Sequence, residues 1–416
     1  MGNTFEVTKF SVLGALLLLL LLMGACSLFD EDTPEAEIQL ATKTSIIIGN
    51  LTDITGVSSN AMSMVNKALA DMVKYYNEEN LIPGVELEVV TYDGQFDPSR
   101  DIPGYQWLKR RDADLIFTPM PSTTETLKRR VEDDKMVLFA LAPSKEGLLP
   151  PGYAFCPGNT YAQDISYTLL KWIAENDPDF PKDRPAKIGG AFWAEAYGED
   201  ILRGAEQYAK THPDQYDWEG GYLTNFTFTW GPEVEDLKNC DYVLPPVPMN
   251  SFAKEYRMAG YEAKFIGTAG HVAFMGLIDY ADLWNEIDGT LIIQTPWWWN
   301  EESTMSDLAM KLLYDNHADE AEVVIRSGNG YLSVVPVYIM LEIISNAVDA
   351  VGPEGFNSEA LYEAAKSFSL TLDGFNFSFS ETNRTSVDHL GMYEIRGSEK
   401  DVFRVDSNWV PIVKAP

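Results

Sequence analysis

Residues 84–98 read GVELEVVTYDGQFDP, and the order of their parts decides the fold. Pro83-Gly84 is a turn signal, and Val85–Tyr92 carries the β-branched and aromatic residues that strands favour. Asp93 to Pro98 is a polar break, ahead of a helical stretch around 98–111. On the N-terminal side, Ser45–Gly49 (SIIIG) is a continuous apolar run, the pattern of a strand buried on both faces. Residues 59–79 then repeat apolar side chains at helical spacing through Met62, Val65, Leu69, Met72, Val73 and Tyr76. On the C-terminal side come a strand at 114–118, a helix at 122–133 and a strand at 136–141. This alternation implies a parallel sheet with right-handed crossovers.

The rhythm restarts at Tyr153–Cys156. A helix at 160–175, a strand at 187–192, a helix at 197–210 and strands at 220–224, 241–244 and 263–267 follow, with a helix at 250–259. These are too many strands for one sheet of ordinary size, so two lobes are expected. A strand at 291–295, a helix at 303–315 and a long apolar helix at 331–351 come next. The tail alternates apolar and polar residues at 375–379, 392–396 and 401–405, as antiparallel edge strands do. The expected class is α/β, with two doubly wound parallel-sheet lobes.

The formal net charge is −32 over 416 residues. Such acidity argues against nucleic acid and against lying on an anionic membrane. The chain has four histidines and no HExxH, CxxC, GxSxG or P-loop motif. No carboxylate pair stands at a spacing that marks a general acid and base. These absences argue against an enzyme, with a surface hydrolase as the weaker alternative, and no metal or cofactor is expected.

Ligands of open parallel sheets bind at the C-terminal ends of the strands, which selects candidates along the chain. Gly56 closes the segment after the first strand. Ser122 and Thr123 follow the third and open a helix, where hydroxyls, free N–H groups and the positive helix end suit a carboxylate; the plain alternative is an N-cap. Ser144 follows the fourth strand. Trp193 and Tyr197 bracket a strand-to-helix turn, and Thr268 and His271 follow the strand at 263–267. Trp297-Trp298-Trp299 follows the strand at 291–295. Three in a row cannot all point one way; one or two could face the cleft, with Trp298 among the candidates and the choice between Trp297, Trp298 and Trp299 open. An aromatic ligand burying ~150–250 Å² at ~25 cal/mol per Å² gains roughly 4–6 kcal/mol.

Two resemblances join these features. Leu16–Leu22 followed by Met23-Gly24-Ala25-Cys26 resembles the lipobox of bacterial lipoproteins. It implies a signal peptide at 1–25, lipidation of Cys26 and an acidic flexible tether over 26–43. The alternative is an uncleaved N-terminal helical anchor; both put the rest of the chain outside the cytoplasm, in the periplasm or on the cell surface. Cys156 and Cys240 then remain, as a pair or as two buried thiols.

The second resemblance is to the type I periplasmic solute-binding proteins of ABC importers, leucine/isoleucine/valine-binding branch. It rests on Gly84–Pro98 with Asp93, Asp97 and Pro98, on Pro121-Ser122-Thr123-Thr124 and Ala142-Pro143-Ser144, on Glu195-x-Tyr197-Gly198-Glu199, and on Phe265-Ile266-Gly267-Thr268. It implies two discontinuous lobes, 44–157 with 292–374 and 158–291 with 375–416. The chain would cross the hinge near Pro157, Leu291 and Gly374. It also implies a monomer that closes on a small solute, covers it with the Tyr197 ring and docks on a membrane permease; a sensor feeding a receptor is the alternative. Amino-acid binders of this branch carry an acidic residue where this chain has Ala269. The expected solute is therefore a small carboxylate, an aromatic acid, or an amino-acid or amide-like compound.

Overall fold

A computed structural model of the protein describes residues 43–416. The expectations for the signal peptide, Cys26 and the tether up to residue 42 lie outside the described residues. The first lobe is built on β1 (Thr44–Thr52), β2 (Val85–Asp93), β3 (Leu115–Thr118), β4 (Leu138–Ala140) and β5 (Ala154–Phe155). They form an all-parallel sheet in the order β2-β1-β3-β4-β5. The helices between them are α1 (Ser59–Glu78), α2 (Asp101–Lys109), α3 (Thr123–Asp134) and α4 (Lys145–Leu148). Ile46, Ile48, Leu115, Phe117, Leu138 and Phe139 are fully buried in the sheet, as their apolar runs require.

The second sheet contains β6 (Ala186–Trp193), β7 (Tyr216–Thr224), β8 (Tyr242–Leu244), β9 (Lys264–Thr268) and β10 (Leu291–Gln294), ordered β7-β6-β8-β9-β10 and parallel. Its helices are α5 (Ala162–Asn176), α6 (Ala196–Thr211), α7 (Gly231–Asp236), α8 (Asn250–Met258), α9 (Ala269–Val272) and α10 (Met275–Tyr280). After β10 the chain returns to the first lobe as α11 (Thr304–His317), α12 (Ala321–Arg326), α13 (Val334–Val351) and α14 (Ser358–Lys366). The continuously apolar α13 packs against α1 and α14, so its length and hydropathy serve the core. A hairpin of β11 (Ser369–Leu372) and β12 (Phe375–Ser378) follows. The tail then adds β13 (His389–Arg396), β14 (Asp401–Arg404) and β15 (Val410–Pro411) antiparallel to the second sheet.

Gly374, the expected neighbourhood of the third crossing, sits in a hairpin turn. Asp373 and Gly374 take φ of 47° and 79° at the tip of the β11–β12 hairpin, the left-handed pair that a tight two-residue turn needs. Beyond it, Phe379 still packs on Phe155 of β5, with ring centroids 5.3 Å apart. Further on, Thr385 bridges Cys156 and the Cys156 N–H donates to the Arg384 carbonyl at 2.8 Å. Arg384 is 1% exposed. Its guanidinium donates to the carbonyls of Gly152 and Ser380 and to the Tyr362 hydroxyl, and lies over the Phe155 ring. Cys156 and Cys240 are both buried and unpaired.

Candidate ligand cleft

A cavity of about 1210 Å³, counting space open to solvent, lies where the C-terminal edges of the two sheets meet. Ser58 and Met62 reach it from behind β1, Phe96 from behind β2, Pro119 and Met120 from behind β3, and Leu141 from behind β4. The second lobe supplies Trp193, Glu195 and Tyr197 after β6, Ala269 and Gly270 after β9, and Gln294 and Trp297 at the end of β10. Five aromatic rings line it: Phe96, Trp193, Tyr197, Phe274 and Trp297. Among the described residues its only acid is Glu195, and no lysine or arginine lines it.

Two of the nine expected ligand residues line this cavity, Trp193 and Tyr197. Trp193 donates its indole N–H to the Thr227 carbonyl at 2.8 Å, which fixes the ring. The Tyr197 hydroxyl lies 2.6 Å from Thr268 Oγ1, and burial pushes its phenol up to about 12. With its hydroxyl spent there, Tyr197 offers its ring to the cleft.

Thr268 and His271 support that ring from behind. His271 Nδ1 accepts the Thr268 N–H at 2.9 Å, so the proton sits on Nε2, which donates to the Pro245 carbonyl at 2.9 Å. Burial pulls the imidazole down to about 4 and keeps it neutral. His271 and Thr268 are therefore structural, and neither lines the cavity.

Ser144 caps α4 by accepting the Gly147 N–H at 3.0 Å. Gly56 presses on the backbone of Gln95 and donates its N–H to Asp53. Asp53 also receives the N–H and hydroxyl of Ser58, which ties it to the start of α1. Trp298 turns away and donates its indole N–H to Asp401 at 2.7 Å. Its neighbour Trp297 is the member of the run that faces the cleft, backed by Phe375 and Phe377. Ser122 and Thr123 line a smaller chamber beside the main cavity. There the Thr123 hydroxyl donates to Asp101 Oδ1 at 3.2 Å, so the expected carboxylate seat faces an acid.

Three polar residues in the cleft were not anticipated. Glu195 caps α6, accepting the N–H groups of Tyr197 at 2.8 Å and Gly198 at 2.6 Å, while burial pushes its carboxyl up to about 7. Gln294 is 3% exposed. Asn329 donates from Nδ2 to the Ala269 carbonyl at 3.0 Å and to Gln294 Oε1 at 3.3 Å, which fixes both amides. Gln294 lines the cavity, and its Nε2 is buried without a hydrogen-bond partner. A buried N–H without a partner costs about 1–3 kcal/mol, a penalty that an acceptor atom would remove.

Over residues 45–399 the sequence matches the family described as periplasmic binding protein. A search of the curated proteins finds no match. Among solved structures, the fold is similar to a branched chain amino acid ABC transporter of Thermus thermophilus with bound valine (TM-score 0.76, 17% identity, covering 90% of this chain and 97% of that one). It is also similar to a fatty acid ABC transporter substrate-binding protein of Thermomonospora curvata (0.73, 17%, 89% and 95%). A third is a solute-binding protein of R. palustris in complex with benzoate (0.70, 13%, 89% and 98%). At these identities the similarity is one of fold, and it is the type I periplasmic binding protein fold in two lobes.

Proposed function

Because this chain belongs to the periplasmic binding protein family, we propose that it is the extracytoplasmic solute-capturing component of an ABC importer. It takes a solute with a large apolar or aromatic body by closing its lobes, delivers it to a membrane permease and transforms nothing. Cys26 carries the lipid anchor. The lobes divide at the crossings near 157 and 295 and in the stretch 385–388.

One observation carries this reading: a crevice between the carboxyl edges of two sheets, walled by five aromatic rings and holding one unpartnered donor, Gln294 Nε2. The rings would gain roughly 4–6 kcal/mol from ~150–250 Å² of buried ligand surface. The amide would take a carbonyl or a carboxylate oxygen, in keeping with the expected aromatic acid or amide-like solute. The benzoate and fatty-acid proteins of the same fold bind ligands of that kind. Closure follows from contacts that each lobe adds only when the other is near. Phe96 and Phe226 already meet edge to face across the opening, centroids 5.7 Å apart.

Mass spectrometry of the solute released on denaturing the purified protein is the direct test. An apolar compound bearing one acceptor group is the expected result. A small polar solute such as a free sugar would refute the reading. Solution scattering should show a smaller radius of gyration once that solute is added back.

A further inference from the structure

Beside the main cavity lies a second chamber of about 710 Å³ that shares Phe96, Met120, Pro121 and Glu195 with it. At its wall Asp101, the first residue of α2, is 4% exposed. Oδ1 accepts the Thr123 hydroxyl, and Oδ2 has no partner. Thr126 lies near, but its hydroxyl proton goes to the Ser122 carbonyl at 3.1 Å. Asp97 and Glu195 also line the chamber, and no lysine or arginine does. Phe96 and Phe226 turn their rings toward the same space. A buried carboxylate oxygen with no donor is unfavourable unless something supplies one. No cluster of three acidic, histidine or cysteine ligands fit for a metal exists among the described residues. A charged nitrogen on an organic body meets both needs, because it donates to the carboxylate and rests against aromatic faces.

We propose that this side chamber is a subsite for a protonated amine of the solute, received by Asp101 Oδ2 and flanked by Phe96 and Phe226. The proposal rests on reading the main crevice as the solute site, and it specifies the second end of the solute. The first-lobe Asp101 then meets the need that Ala269 leaves open on the second lobe. The ionisable groups around Asp101 are Asp97 and Arg100 on the turn before it, Glu125 on the first turn of α3, and Glu195 across the chamber.

The test uses Trp193 and Trp297 as fluorescent reporters of the full-length protein, stripped of any co-purifying solute. The probes are 3-phenylpropylammonium, 3-phenylpropionate and 3-phenylpropan-1-ol, with the hexyl trio of the same three head groups. The ammonium member should bind roughly tenfold or more tighter than its two partners. In D101N that preference should vanish while the alcohol binds as before. A carboxylate or an alcohol that binds as well as the ammonium, or a preference that survives in D101N, overturns the proposal and leaves solute capture standing. If no probe binds, the proposal fails, and capture is judged by the solute released on denaturation. Should D101N not fold, the parent protein decides. Ammonium affinity should rise between about pH 5 and pH 8 as Asp101 loses its proton, and rise in E195Q as well. A flat profile, or one abolished by E195Q, overturns the proposal.

Discussion

Asp101 should make the empty protein less stable than it need be, and Asp101→Asn measures by how much. Burial pushes this carboxyl from an ordinary 3.8 up to about 7, with the Thr123 hydroxyl only partly offsetting it. A folded-state pKa raised in this way means that the folded form holds its proton more tightly than the unfolded chain. The stability from this group is present below about 4 and is lost as pH rises toward 7. At about 1.4 kcal/mol per pH unit, ionising Asp101 in the solute-free fold costs about 4 kcal/mol by pH 8. Asparagine removes that cost and keeps an oxygen for Thr123, but leaves an amide N–H₂ unpartnered at about 1–2 kcal/mol. D101N should therefore be about 2–3 kcal/mol more stable than the parent near pH 8 and no more stable near pH 4. Urea unfolding of the solute-free proteins at both pH values reads this directly. A variant less stable than the parent at pH 8, or an equal difference at both pH values, would refute the account of a buried, unsatisfied carboxylate.

Three further outcomes are expected. Gly270→Ala would set a Cβ 2.9 Å from Tyr197 Cε1, so the ring must shift in the cleft. Solute affinity should fall by about tenfold or more with little loss of stability, compared by fluorescence titration and thermal melting. His271, held neutral at about 4, contributes stability that is complete above its ordinary 6.5 and lost as pH falls toward 4. Relative to His271→Gln, the parent should lose about 3 kcal/mol over that interval in denaturant titrations, and parallel curves would remove burial as the cause. Gln294→Leu deletes a donor that the empty cleft leaves unused. It also removes the acceptor of the Asn329 amide, which keeps the Ala269 carbonyl, so stability should change by no more than about 1 kcal/mol in either direction while a solute that bears an acceptor binds more weakly; equal affinity in both proteins would mean that the amide is not part of the seat.

The alternation of elements, the two lobes and the crevice at the strand ends were legible because burial on both faces writes continuous apolar runs into parallel strands. Trp193 and Tyr197 were legible for the same reason, since they flank the end of β6. What escaped depended on wiring across the fold. Asp101 reads locally as an ordinary acid in the first turn of a helix, and nothing within ten residues announces that Thr123 buries it. Gln294 had a signal, a lone amide closing the apolar run Leu291–Ile293. In the tryptophan run, a turning loop has no fixed alternation, so its local pattern did not separate Trp297 from Trp298. Asp373-Gly374 between alternating residues is a hairpin turn, a local signal that the expected crossing near Gly374 passed over. Ser144 and Thr123 stood at the right strand ends, but caps and a buried acid had already taken their hydroxyls.

Arg384 has a consequence for how far the jaws can swing. Its guanidinium rivets the last connecting strand to Gly152, Ser380 and Tyr362, all on one side of the joint. Any bend in that strand is left to the few bonds between Ser386 and Asp388. A rotation about Ser386 would carry the second lobe, and Phe226 with it, relative to the first. Under the proposed closure, Val387 and Asp388 are therefore the place to retune the resting angle, since Ser386 Oγ also accepts the N–H of the cavity-lining Gly158.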